Sequence, residues 1–286
     1  MGYTYIKPKN QQELLTAMQK NPEYHILAGG TDVMVRVKLG RIIGGTFIDI
    51  GEMELLKKIE MNGNLVTVGA AVLHAELAAS PVITAVAPAL AAAAVSVGSP
   101  QIRNRGTLGG NVGNASPAGD TIPALLSYET MVNIVGVQGL RQLPLSEFFT
   151  GPGRTILQKS EYIESFSFLG QQKREGSAFE KLGKRKALSI SVANAAGFLR
   201  VHEDGTIGAV RISLGSVAAT PIRMFEAEEW LCGQKISQEL LVESAKKVQS
   251  MVYPIDDVRS EAVYRKKMAG VLTQRVLEKS WKLATM

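Results

Sequence analysis

Residues 105–120 read Arg105-Gly-Thr-Leu-Gly-Gly-Asn-Val-Gly-Asn-Ala-Ser-Pro-Ala-Gly-Asp120, with five glycines and two asparagines in sixteen residues. A backbone this bare suits a turn that needs positive φ, or a surface that another molecule approaches closely. A companion stretch, Leu27-Ala-Gly-Gly-Thr-Asp32, sets paired glycines between an expected strand and an expected helix start. That geometry turns several backbone N–H groups outward and adds the partial positive charge of a helix N-terminus, which suits a phosphate. Without Cβ atoms, Gly29, Gly30, Gly109 and Gly110 would let the anion reach the peptide plane, while Thr31, Thr107 and Asn111 offer side-chain donors. Two such cradles fit a diphosphate held from both sides. Each taken alone is also compatible with an ordinary turn.

The familiar nucleotide loops are missing. Gly151-Pro-Gly153-Arg-Thr-Ile156 lacks the third glycine of a dinucleotide fingerprint and carries a proline, and no Walker-type phosphate loop is present. A bound nucleotide would therefore sit outside both designs.

Working outward, Tyr3–Ile6 reads as a strand. Asn10 then reads as the N-cap of a helix to about Lys20, with Glu13 reaching back from the third helical position. Strands at Tyr24–Ala28 and Phe47–Ile50 flank a short helix at Asp32–Leu39, giving a β-α-β-α-β unit over about 1–55. A second unit has strands at Leu65–Gly69, Met131–Val135, Arg141–Pro144 and Tyr162–Phe168. Its helices are at His74–Ala79, Val82–Val97 (interrupted by Pro88) and Asp120–Tyr128. Beyond the polar stretch Gln171–Gly176, strands are expected at Ser177–Leu182, Ser189–Val201 and Ala209–Val217, several with period-two alternation, and a Glu203-Asp-Gly205 turn joins the last two. Helices at about Arg223–Leu231, Gln238–Val252 and Ser260–Lys282 close the chain. The expected fold is α+β, with one domain over 1–172 (subdomains about 1–55 and 56–172) and another over 173–286.

The 286 residues are 45% hydrophobic and 20% charged, a globular balance. The net charge of +6 comes from 32 basic and 26 acidic residues that are interspersed, the one basic cluster being Lys181, Lys184, Arg185 and Lys186. Aromatics make up 6% and do not interleave with a basic stripe, which argues against nucleic acid as a partner. A single cysteine, Cys232, excludes a disulfide framework, an iron–sulfur cluster and a cysteine zinc site on this chain alone. His25, His74 and His202 are far apart and read as surface or packed residues. The N-terminus has no apolar core of a signal peptide and the most apolar run is too short for a membrane span, so a cytoplasmic protein without a membrane association is expected.

Ala28-Gly-Gly-Thr-Asp32, Arg103-Asn-Arg-Gly-Thr-Leu-Gly-Gly-Asn111 and Ser116-Pro-Ala-Gly-Asp120 together resemble the FAD-binding subunits of molybdenum hydroxylases, above all those of bacterial xanthine dehydrogenases and the medium subunit of carbon monoxide dehydrogenase. The resemblance continues through Glu161-Tyr-Ile163, Phe179-Glu-Lys-Leu-Gly-Lys-Arg185 and Thr220-Pro-Ile-Arg223. It implies a vanillyl-alcohol-oxidase-type FAD domain of two α+β subdomains and a smaller C-terminal α+β domain. It further implies non-covalent FAD, with the pyrophosphate held by Ile26, Leu27, Ala28, Gly29, Gly30, Thr31, Asp32 and Val33 on one side and by Thr107, Gly109, Gly110 and Asn111 on the other. By the same resemblance Asp120 and Lys181 contact the cofactor and Ile163 lies near the flavin; read without it, they could be a helix cap, a solvated cation and ordinary core. No catalytic triad or metal cluster stands out, which fits a protein whose cofactor carries the chemistry.

The family pattern implies an iron–sulfur subunit as electron source and a molybdenum-binding subunit as partner, with the molybdenum cofactor and 2Fe-2S clusters on those chains. NAD⁺ or oxygen would be the electron acceptor. Xanthine is the favoured substrate of the assembly, with nicotinate, another N-heterocycle, an aldehyde or CO as alternatives. A free-standing flavin oxidase and a non-enzymatic nucleotide-binding module are the readings from other classes.

Overall fold

A computed structural model describes residues 2–185 and 188–286. Asn10 caps the first helix by accepting from the Glu13 N–H at 2.9 Å, and Glu13 reaches back to the Lys9 N–H at 2.8 Å, one residue earlier than a standard capping box. The first unit runs β1 (Tyr3–Ile6), α1 (Gln11–Lys20), β2 (Tyr24–Leu27), α2 (Val33–Lys38), β3 (Gly45–Asp49). Strand β3 lies between β1 and β2 and parallel to both, so α1 and the α2 segment serve as the crossovers that parallel pairing requires.

The second unit begins with β4 (Ile59–Asn62) and β5 (Leu65–Gly69). It continues through α3 (His74–Ala79), α4 (Pro81–Val86), α5 (Pro88–Ser96), α6 (Pro100–Arg103), α7 (Leu108–Gly113) and α8 (Thr121–Ser127). The strands β6 (Met131–Gly136), β7 (Gly139–Pro144), β8 (Phe149–Gly151), β9 (Arg154–Thr155) and β10 (Tyr162–Leu169) complete it. Its five-stranded sheet is antiparallel in the order β4-β5-β10-β6-β7. The long helix expected over Val82–Val97 is two helices, because Pro88 has no N–H for the ladder and its ring excludes the preceding turn, so Ala87 leaves the helical region at φ −145°. The glycine-rich stretch, which reads as a turn or a surface of close approach, is helical over Leu108–Gly113: Thr107 caps α7 by accepting from the Gly110 N–H at 3.0 Å.

The last unit comprises β11 (Glu175–Gly183), β12 (Ser191–Val201), β13 (Ile207–Gly215), β14 (Ile222–Arg223), α9 (Phe225–Leu231), α10 (Gln238–Met251) and α11 (Ala262–Thr285). The strands pair in chain order and antiparallel, with Gly205 at φ +83° in the turn before β13. Strand β12 is buried at every position but Arg200, because helices cover both faces of this sheet. Ala193, Ala195 and Leu199 enter the core under α10 and α11, whereas Ala196 and Phe198 join the larger core containing Leu90, Ala94 and Leu125 of α5 and α8. The fold is α+β, as expected. Alternate residues of β11 and β12 thus face the preceding units, and that places the candidate site.

Candidate cofactor site

The two glycine stretches lie against each other. A Cβ on Gly29 would stand 1.8 Å from the Arg105 carbonyl oxygen, so only glycine permits this approach. Gly30 takes φ +73°, the left-handed conformation that turns successive N–H groups to one side. Among the described residues, the N–H groups of Gly29, Gly30, Thr31, Asp32 and Val33 have no protein acceptor, and neither does the Thr31 hydroxyl. Five consecutive unpaired donors after β2 present partial positive charge of the kind that anions seek. Ile26 and Leu27 belong to β2, paired with Ile48 and Asp49, and with Ala28 they fix where the loop begins.

The second stretch differs from its expected form. The Gly109 N–H donates to Ala70 O at 2.8 Å, and a Cβ there would stand 2.6 Å from Ala70 Cβ, so Gly109 is glycine for helix packing rather than for ligand approach. Gly110 gives its N–H to Thr107 and is exposed. What remains for a ligand on this side is the open face of Gly110, the Thr107 hydroxyl proton, and the Asn111 amide. Thr121 Oγ1 donates to Asn111 Oδ1 at 2.8 Å, leaving the Asn111 NH₂ without a protein acceptor among the described residues. The cradle is one-sided: backbone donors come from the Gly29–Val33 loop and side-chain donors from α7.

Asp32 would repel an anion if it stood alone. Arg36 Nε lies 2.8 Å from Asp32 Oδ2, and Arg36 Nη2 donates to Asn114 Oδ1 at 2.7 Å. Arg36 therefore neutralises Asp32 and ties α2, which buries no residue of its own, to the end of α7.

Asp120 and Lys181 come together. Lys181 Nζ is 2.5 Å from Asp120 Oδ2 and also donates to Ser96 O at 2.9 Å, and the two side chains are 13% and 9% exposed. Lys181 is thus no part of a solvated basic face. Lys184 and Arg185 are exposed, and Lys186 lies outside the described residues. Asp120 Oδ1 accepts from Ser191 Oγ at 2.6 Å and from Asn194 Nδ2 at 3.0 Å. A cavity of about 440 Å³ adjoins this pair, lined by Ser96, Lys181, Gly183 and Ser189 among others.

Ile163 is buried in β10 opposite Ile134, with Cδ1 3.7 Å from the point where a Gly113 Cβ would lie, so it sits beneath α7. The next residue, Glu164, falls in a bulge. Its carbonyl accepts from the Ala70 N–H while Ala70 O accepts from Gly109, which couples the sheet to the glycine helix. Burial raises the Glu164 carboxyl above the usual range. Sequence reasoning missed Glu164, Ser191 and Asn194, because pairing register and bulges decide their neighbours, and Arg36 and Asn114, because only the docking of α2 on the end of α7 brings them together.

His74 is packed, with 2% of its surface exposed and Nδ1 without a partner among the described residues. Its N–H donates to Gly106 O at 3.0 Å, and burial, aided by the Arg103 charge, lowers the imidazole to about 4. Among the described residues no His, Cys, Asp and Glu side chains are grouped to hold a metal ion, and no helix is long and apolar enough to cross a membrane.

Residues 1–168 match the family described as the FAD binding domain in molybdopterin dehydrogenase, and residues 177–280 match the CO dehydrogenase flavoprotein C-terminal domain. The chain is 30% identical to the carbon monoxide dehydrogenase medium chain of Hydrogenophaga pseudoflava over 98% of this chain and 97% of that one. It is 31% identical to the nicotinate dehydrogenase FAD-subunit of Eubacterium barkeri, covering 92% and 91% of the two chains. It is 29% identical to the xanthine dehydrogenase FAD-binding subunit of Escherichia coli O157:H7, covering 97% and 95%. A solved structure of carbon monoxide dehydrogenase from Hydrogenophaga pseudoflava, in a form lacking the Mo-pyranopterin moiety, superimposes with a TM-score of 0.94 at 29% identity, covering 99% of this chain and 98% of that one. The chain belongs to the family of FAD-binding subunits of molybdenum hydroxylases.

Proposed function

We propose that this chain binds one FAD non-covalently, with the pyrophosphate at the Gly29–Val33 donors and at Thr107, Gly110 and Asn111 of α7, and the flavin toward Ile163, Asp120 and Lys181. It would serve as the flavin subunit of a xanthine dehydrogenase-type assembly, with an FAD domain over 1–172 and a C-terminal domain over 173–286. The single observation that carries the reading is the run of five N–H groups without a protein acceptor among the described residues, in a loop packed against the glycine-rich stretch that holds α7. Such donors leave water for an anion at no reorganisation cost, because the strand β2 and the Gly29–Arg105 contact already hold them.

FAD held there would supply the redox chemistry between an iron–sulfur subunit as electron source and NAD⁺ or oxygen as acceptor. The chain's own residues bind and orient. Arg36 compensates the charge of Asp32, Thr107 caps the start of α7, and Ile163 would give an apolar floor that excludes water. Lys181 and Asp120 present a closed ion pair rather than a free cation, so the charge they show the cofactor is a dipole.

Xanthine, nicotinate and CO are distinguished on the molybdenum subunit. The similarity to the xanthine dehydrogenase subunit supports a purine, and that to the nicotinate dehydrogenase subunit supports an N-heterocycle more generally. The test is direct. The purified chain should show the visible absorption of oxidised flavin and release FAD on denaturation in a 1:1 ratio. Affinity capture from the native cell should bring down an iron–sulfur and a molybdenum subunit, and the recovered complex should oxidise xanthine with NAD⁺. A colourless chain that takes up no FAD defeats the reading, and a yellow chain recovered alone with its own turnover favours a free-standing oxidase.

A further inference from the structure

Asp120 belongs to the segment before α8, yet each side-chain donor to its carboxylate comes from the C-terminal sheet. Lys181 and Asn194 are directly opposed across β11 and β12, so both side chains leave the sheet on the same face, toward α8. Ser191, three residues before Asn194, should point the other way in a regular strand. The register shifts between Leu182 and Gly183, which pair with Ala193 and Ser191, and the skipped Val192 turns Ser191 onto the Asp120 side. Ser191 is fully buried, and Asn194 Nδ2 lies 3.2 Å from Ser191 Oγ as well.

Asn194 is also fully buried, and its Oδ1 has no donor among the described residues. The reverse orientation of the amide would set that oxygen against Asp120 Oδ1, acceptor against acceptor, so the need of Asp120 for a donor fixes the orientation and leaves the carbonyl unpaired. Gly215, opposite Asn194 on the other side, keeps the space open, since a Cβ there would reach within 2.3 Å of Asn194 Oδ1. A bulge, an unpaired buried carbonyl and an obligatory glycine each lower stability, and all serve one carboxylate. Local rules broken together in this way are expected where function demands a geometry.

We propose that Ser191 and Asn194 are positioning residues, which hold the Asp120 carboxylate and through it Lys181 in the geometry that grips FAD, so that the C-terminal sheet completes a site whose anion cradle lies in the preceding units. The inference rests on the FAD reading above. It implies reciprocal linkage: whatever loosens the C-terminal sheet from α8 weakens FAD binding, and FAD tightens that junction.

The experiment uses the full chain stripped of flavin and titrated with FAD, followed by quenching of FAD fluorescence. Ser191→Val and Ser191→Thr add the same bulk and differ in one hydroxyl. Ser191→Val should bind FAD about tenfold more weakly than Ser191→Thr, the scale expected for one hydrogen bond to a charged acceptor. Asn194→Ser, which is shorter and withdraws the amide donor, should weaken binding similarly and serves if Ser191→Val does not fold. In an Asp120→Asn background both losses should shrink to within twofold, because the residue they act through no longer needs those donors. Equal affinities of Ser191→Val and Ser191→Thr, or losses that persist undiminished in Asp120→Asn, overturn the proposal. A wild-type chain that takes up no FAD overturns the functional reading and this proposal together, whereas a flavin-bearing wild type with indifferent variants overturns this proposal alone.

Discussion

Lys181 Nζ and Asp120 Oδ2 lie 2.5 Å apart although 61 residues separate them in sequence, and little of either side chain reaches water. A lysine alone beside a flavin would favour the reduced, negatively charged state. Paired with Asp120, its charge is already compensated, and deleting it does more than remove a cation: it leaves a buried carboxylate whose remaining donors, Ser191 and Asn194, are neutral.

Lys181→Met should therefore destabilise the fold by about 3–5 kcal/mol, the usual cost of stranding one member of a buried pair. Asp120→Asn should do so to a similar extent, and Lys181→Met/Asp120→Asn should recover much of the loss. Urea unfolding of the four proteins measures this. If FAD lies where we propose, its midpoint potential falls in Lys181→Met and returns toward the wild-type value in the double variant. Single substitutions that simply add would show that the two side chains do not act as a pair. Lys184→Met, at an exposed position, is the near-neutral control.

The glycines separate packing from binding. Gly29→Ala and Gly109→Ala each drive a Cβ into backbone or Ala70, at 1.8 Å and 2.6 Å, and should lower stability by about 1–3 kcal/mol as overpacked sites do. Gly110 meets only Thr107 Oγ1, at 2.8 Å, and in a helix alanine is favoured over glycine by about 1 kcal/mol. Gly110→Ala should accordingly leave the melting temperature within a few degrees of wild type while FAD affinity drops, and Gly110→Val should empty the site with the circular dichroism spectrum retained. Full flavin content in Gly110→Val would remove α7 from the binding surface.

Much of this arrangement was legible beforehand, for reasons that differ from element to element. The Asn10 cap acts through nearest neighbours, and local chemistry sufficed; the Pro88 break is just as local, yet the alanine-rich run around it read as one helix. The Leu27–Asp32 loop was readable because a strand, two glycines and a helix start follow in order. Helix α7 was not, since three of its six residues are glycine and their low propensity hides a helix held by the Thr107 cap and by Gly109 on Ala70. Lys181 sits within two residues of Gly183 and close to Lys184 and Arg185, and only the strand register reveals that it faces α8 rather than water. Ser191 was beyond reach for the same reason, because a bulge reverses the face that alternation assigns to it.

Asp257 anchors the segment before α11. Burial alone would raise its carboxyl, but hydrogen bonds from the Arg259 backbone and side chain and from Arg265 outweigh it and hold the group at about 2, below the ordinary 3.8. A depressed carboxylate stabilises the fold above its unfolded value and loses that contribution as pH falls through the folded one. The loss attributable to Asp257 should thus fall between about pH 4 and pH 2. Asp257→Asn should abolish that part of the acid transition and destabilise at pH 7 as well. Arg265 is buried, with Nη2 2.5 Å from Asp257 and Nη1 donating to Val192 O and Ser216 O, and would lose its counter-charge. An unchanged melting temperature in Asp257→Asn at both pH values would show that the arginines find other partners.

His74 should make the region of Gly106 acid-sensitive in a different window. Burial first and the Arg103 charge second lower its imidazole from 6.5 to about 4, so the folded chain holds it neutral where the unfolded chain takes up a proton. Between those two values the unfolded state binds more protons, and stability therefore falls as pH drops from 6.5 toward 4 and is unaffected by this group above 6.5. The full penalty is about 3 kcal/mol, of which about 1 kcal/mol is felt by pH 5.5. His74→Leu keeps a comparable bulk, removes the proton-binding site and relieves the unpaired Nδ1. Its unfolding free energy should decline less over this range than that of the wild type, with the pH-dependent gap between the two proteins smallest at pH 7 and largest near pH 4. Because the His74 N–H still donates to Gly106 O in the variant, the comparison isolates the imidazole from the backbone contact. Parallel profiles for the two proteins would mean that the ring is hydrated in solution and carries none of the acid sensitivity.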